Sequence, residues 1–139
     1  MVEIQIAYLG DLRCEARHGP SGTSLVTDAP IDNMGKGESF SPTDLMATAL
    51  GTCMLTIMGI VAQRHQIDLQ GARVKVTKEM ATSPLRRIGR LAVEIHVPAT
   101  LSQEDQQRLE TAAHTCPVHK SLHPDIDAPV RFHFGSKAG

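Results

Sequence analysis

Residues 41–65 read SPTDLMATALGTCMLTIMGIVAQRH, and the rest of the chain is arranged around the helix they spell. Ser41 is a good N-cap and Pro42 suits the first helical position, where its missing N–H costs nothing. Asp44 stands where it can close a capping box with Ser41 and meet the helix dipole. Leu45, Ala49, Cys53, Ile57 and Val61 form one ridge at spacing four. Met46, Leu50, Met54 and Met58 form the ridge beside it. The resulting stripe is too broad for a surface helix. Thr48, Gly51, Thr52 and Gly59 make a face of small residues that lets another backbone come close. At about 1.5 Å per residue the helix from Pro42 to His65 would span roughly 35 Å, near the diameter of a small domain. A buried central helix with a thiol, Cys53, in its wall is expected.

The 139 residues suit one domain with its own core, read over 1–139 without an internal boundary. Apolar residues at 41% and charged residues at 21% are ordinary for a soluble globular chain. A formal charge of -1 and the lack of any basic run argue against a nucleic-acid partner. The N-terminal MVEIQIAYLG has neither a basic n-region nor a long apolar core, and the apolar run at 45–61 is broken by Thr and Gly. No membrane partner is expected, and the chain is assigned to the cytoplasm. Three cysteines without secretion signals point to redox, metal or plain core thiols rather than a disulfide framework. Aromatics are 3% with no Trp, so the core is built from Leu, Ile, Val, Met and Ala. So modest a core beside so apolar a helix predicts burial against a second subunit.

Outward from the helix, period-two alternation predicts strands at 2–9, 12–18 and 23–27, the first two joined by a Gly10-Asp11 turn. A Gly-, Pro- and Ser-rich loop over 29–40 feeds the helix. Strands follow at 72–80 and 87–97, forming a hairpin with a charged outer face. Ser102 caps a helix running to about Ala113, and a last strand covers 130–134. The order βββ-α-ββ-α-β gives an α+β class with mainly antiparallel sheet. Cys14, in the second strand, has no evident partner. Arg86, Arg87 and Arg90 read as a solvated turn.

The second informative site is Cys116-Pro-Val-His-Lys-Ser. Pro117 suits the first position of a short helix, which makes Cys116 its N-cap. The helix N-terminus, with Lys120 or His119 nearby, would lower the pKa of that thiol. A rival reading groups His114, Cys116, His119 and His123 as metal ligands, with His119 and His123 sharing a helix face.

The pattern P-T-D-L-x-x-x-A-L-G-T-C followed by C-P-V-H-K-S-L resembles the OsmC/Ohr family, the osmotically inducible and organic hydroperoxide resistance proteins. The resemblance runs from about Leu12 to Phe134. It implies an OsmC-like fold, an intertwined homodimer with two active sites at the subunit interface, and no bound cofactor. It further implies that Cys53 is the peroxidatic thiol and Cys116 the resolving thiol of an organic hydroperoxide reductase. Such a thiol becomes a sulfenic acid, condenses with its neighbour to a disulfide, and is reset by an external dithiol reductant.

Such a site also needs a cation, with a carboxylate to orient it. The best-known members of the family begin the helix Pro-Glu, and that glutamate pairs with a catalytic arginine. Here Thr43 stands at the matching position, and Asp44 is rotated about 100° away. Glu38, in the loop before the helix, is the alternative carboxylate. Arg17 falls nearest the family's arginine, with Lys36 the second cationic candidate. A second function is a non-catalytic protein of the same fold that binds an apolar or electrophilic small molecule, with a metal at Cys116 and its histidines.

Overall fold

The computed structural model describes residues 1–135. In chain order the elements are β1 (Ile4–Gly10), β2 (Arg13–His18), β3 (Ser24–Asp28), a 3₁₀ turn (Ile31–Asn33), α1 (Pro42–Arg64), β4 (Arg73–Ala81), β5 (Arg87–Val97), α2 (Gln103–His114), α3 (Pro117–Ser121) and β6 (Val130–Phe134). This is the α+β order expected, with α3 as the short helix after Cys116. The chain divides into two compact units, one of Met1–Met46 and one beginning at Ala47.

The first unit is an antiparallel sheet of order β1-β2-β3. Asp11 and Leu12 both have positive φ, 54° and 63°. That pair makes the mirror-image turn whose twist matches a hairpin, so Leu12 belongs to the turn rather than to the strand. Loop 29–40 is tied back at both ends. Asp28 N–H donates to the Phe40 carbonyl at 3.0 Å and Ala29 N–H to the Leu12 carbonyl at 3.2 Å. Gly35 lies so close to Ala29 that a Cβ would fall 1.8 Å from its carbonyl oxygen. No apolar side chain of this unit is buried; its buried residues are Thr27, Asp28 and Ser41.

The second unit holds the sheet β4-β5-β6. β4 and β5 form the antiparallel hairpin. β6 joins β5 in parallel, a pairing that needs a long crossover, supplied here by α2 and α3. Leu91, Val93, Ile95 and Val97 alternate inward along β5 and are at most 1% exposed. They meet Leu50, Met54 and Met58 of α1, Leu109 and Ala113 of α2, and Cys116 in one core. Flexible methionines fill the gaps that aromatics fill elsewhere.

The capping box at the head of α1 is formed: Ser41 N–H donates to Asp44 Oδ2 at 2.9 Å, and Asp44 N–H to Ser41 Oγ at 3.1 Å. Within one chain α1 is buried on one side only. Its buried stripe is Ala47, Leu50, Gly51, Met54, Met58 and Ala62. The ridge through Cys53, Ile57 and Val61 is half-buried, and Met46 and Ile60 are exposed. Length and a mean hydropathy of 2.0 would suit a bilayer span, but the buried stripe packs as that of a core helix.

Candidate active site

Cys53 sits on the half-buried ridge of α1, packed against the core. Cys116 is fully buried and caps α3, its Sγ accepting the His119 N–H at 3.4 Å. The two thiols, 63 positions apart in the sequence, are brought near enough for the Cys53 sulfur to act on the Cys116 thiol, and both are free. Burial pushes the Cys116 thiol above its ordinary range, and the Cys53 sulfur adds to the effect. The backbone N–H groups of His119 and Val118 pull the other way and lose.

This corrects the expectation of an activated thiolate at Cys116. A five-residue helix capped by a buried sulfur supplies two backbone hydrogen bonds, and neither outweighs desolvation beside another sulfur. Cys116 therefore keeps its proton more firmly than an ordinary thiol, and Cys53 is the more accessible sulfur of the pair.

The histidine cluster does not assemble as expected. α3 ends at Ser121, so His123 lies beyond it and shares no helix face with His119. His123 Nδ1 instead accepts the Asp125 N–H at 3.0 Å. The His114 ring meets the edge of Phe132. Among the described residues, the one set of three possible metal-binding side chains with donor atoms within 4.8 Å of one another is Glu94, His96 and His133. It contains none of the cluster expected around Cys116.

In the first unit the cation that Glu38 holds is Arg13, not Arg17 or Lys36. The Arg13 guanidinium hydrogen-bonds the Glu38 carboxylate and stands 3.6 Å from Asp28 Oδ2. Glu38, followed by Asp28, pushes the Arg13 pKa up. Asp28 is 1% exposed and its Oδ2 also accepts the Glu38 N–H at 3.0 Å. Arg17 is exposed, opposite Gln5 and Ser24, with its guanidinium over Gly22. Lys36 is likewise exposed. Asp44 serves as the helix cap. Sequence reasoning missed Arg13. The available signal was strand alternation, which puts Arg13 on the same face of β2 as Arg17 but at the end facing Asp28.

A hollow lined by Val61, Glu104, Gln107, Arg108, Thr111, Ala112 and Thr115 opens beside α2, and neither cysteine borders it.

The model of the OsmC-like protein family matches residues 35–130, a span that includes both cysteines. A protein of Psychrobacter arcticus, provisionally named for osmotic stress induction and detoxification, is 47% identical over 96% of each chain, with a TM-score of 0.90. The organic hydroperoxide resistance protein OsmC of Legionella pneumophila shares 16% identity over 96% of each chain at a TM-score of 0.78. The organic hydroperoxide resistance protein of Elizabethkingia anophelis shares 13% over 96% of each chain at 0.77. At those two identities the likeness is one of fold. No curated protein matches the chain significantly. The family match over most of the chain and the near half identity to the Psychrobacter protein make this chain a member of the OsmC-like family.

Proposed function

We propose that the protein is a cytoplasmic, homodimeric thiol peroxidase that reduces organic hydroperoxides through Cys53 and Cys116. The observation that carries this reading is the neighbouring pair of free thiols, one half-exposed and one sealed in the core. The names of the Legionella and Elizabethkingia proteins agree with the substrate class.

The Cys53 thiolate attacks the outer oxygen of ROOH. The O–O bond breaks, RO⁻ takes a proton and leaves as ROH, and Cys53 becomes a sulfenic acid. Cys116, its neighbour, gives up its proton and attacks the Cys53 sulfur. The S–O bond breaks, water leaves, and the Cys53–Cys116 disulfide remains. An external dithiol reduces that disulfide by exchange, becoming oxidised itself. The raised pKa of Cys116 suits it to hold its proton until the sulfenic acid exists.

The test is loss of free thiol on adding cumene hydroperoxide, tert-butyl hydroperoxide or hydrogen peroxide, with dihydrolipoamide as reductant. Peptide mapping should then find a Cys53–Cys116 link, and Cys116→Ser should leave a Cys53 sulfenic acid that a dimedone probe traps. Unreactive thiols, or a link from either residue to Cys14, would sink the reading.

A further inference from the structure

We propose that Glu94, His96 and His133 form a binding site for a late first-row divalent metal ion, zinc being the type case, on the outward face of the β4-β5-β6 sheet. The face is set by strand geometry. β5 is hydrogen-bonded on both sides, to β4 and to β6. Its inward residues Leu91, Val93, Ile95 and Val97 are buried, so Glu94 and His96 project from the opposite face. His133 stands directly opposite His96 on β6.

The three side chains are gathered as well as aligned, with donor atoms within 4.8 Å of one another. The two imidazoles stack at 4.5 Å between centroids and 12° between planes. A bound ion with bonds of about 2.1 Å needs donors roughly 3 to 3.4 Å apart, a short closure from this arrangement. His96 Nδ1 is enclosed and has no hydrogen-bond partner. An enclosed ring nitrogen left unpartnered is costly, so this imidazole is short of a ligand.

Two imidazoles and one carboxylate are a donor set for zinc, cobalt, nickel or copper rather than for calcium or magnesium. Lys75 now pairs with Glu94 at 3.2 Å. Its Lys75 end is exposed and its Glu94 end partly so, 69% and 34% by side chain, so the carboxylate can exchange partners at modest cost. Arg73 and Arg131, the strand neighbours of His96 and Glu94, keep the patch cationic. Their charge repels a doubly charged ion, and the two imidazole nitrogens have to outweigh that repulsion. The site lies across the sheet from Cys116, so its metal would tie β6 to β5 and take no part in thiol chemistry.

The experiment is a cobalt(II) titration of the full-length reduced protein, followed by visible absorption. One equivalent should bind with d–d bands and no thiolate-to-cobalt charge transfer. His133→Gln and Glu94→Gln should each weaken binding by at least about tenfold, whereas His119→Gln should leave it unchanged. Zinc should raise the Tm of the parent by mass action and that of neither variant, both of which should keep the parent's metal-free circular dichroism. If one variant fails to fold, the other decides. Three results would overturn the site: no saturable binding, binding unchanged in both variants, or a thiolate band that vanishes once Cys53 and Cys116 are alkylated.

Discussion

Cys116 shows how a residue's environment outranks its local motif. A Cys-Pro helix start should favour thiolate, yet burial and the Cys53 sulfur push this thiol up. An acid whose pKa is higher folded than unfolded holds its proton longer in the native state. Its contribution to stability is complete below the unfolded thiol pKa of about 8.5 and is lost as pH climbs from there towards the folded value. The stability gap between the parent and Cys116→Ala, measured by urea denaturation, should therefore narrow between pH 7 and pH 10; a constant gap would contradict the direction of the shift. Arg13 is the other residue-scale test. Its guanidinium pairs the Glu38 carboxylate and stands 3.6 Å from the enclosed Asp28, and an enclosed carboxylate that loses its cation is left short of a partner. Arg13→Ala should lower the urea midpoint, with Arg17→Ala and Lys36→Ala close to the parent. Equal midpoints in all three variants would show that Asp28 does not depend on Arg13.

Among the elements, α1 carries two local devices with different consequences. The box between Ser41 and Asp44 satisfies N–H groups that the first turn cannot pair internally. Ser41→Ala should cost about 1 kcal/mol, read as a lower urea midpoint at an unchanged slope. Gly51 is there for space. A Cβ at Gly51 would lie 2.9 Å from Val76 Cγ2 and 3.3 Å from Val74 Cγ1. Alanine would gain about 1 kcal/mol in helix propensity, but overpacking against β-branched side chains costs about 1–3 kcal/mol. Gly51→Ala should therefore destabilise, and a stabilised variant would show that β4 can recede.

For the whole molecule the telling feature is an uneven core. The second unit buries a continuous apolar cluster, whereas the first buries no apolar side chain at all. Ile4, Ile6 and Tyr8 of β1 are 58%, 68% and 67% exposed. A three-stranded sheet needs a covered apolar face to be stable, and Met46 and Ile60 of α1 are also uncovered. A second copy of the chain is the partner we propose for these surfaces. Sedimentation at micromolar concentration should show a dimer, with a Tm that falls on dilution. Ile6→Glu should shift the protein toward monomer and lower its stability; a parent that sediments as a stable monomer would refute the dimer.

The sequence by itself determined what depends on neighbours a few positions apart. Period two marked the strands, spacing three and four marked α1, and Ser41, Ser102 and Pro117 marked where helices begin, because these signals act within one or two turns of backbone. The fold class followed from their order. The thiol pair was legible through family resemblance, since nothing in local spacing brings residue 53 to residue 116. Tertiary structure decided the rest. It set β6 parallel to β5, which places His133 against His96. It chose Arg13 over Arg17 for Glu38, through the β2–β3 register that sets Arg13 opposite Asp28. It ended α3 at Ser121 and so scattered the histidines expected to share its face. It also reversed the expected shift at Cys116, because desolvation depends on everything packed around a sulfur and no stretch of chain encodes that alone.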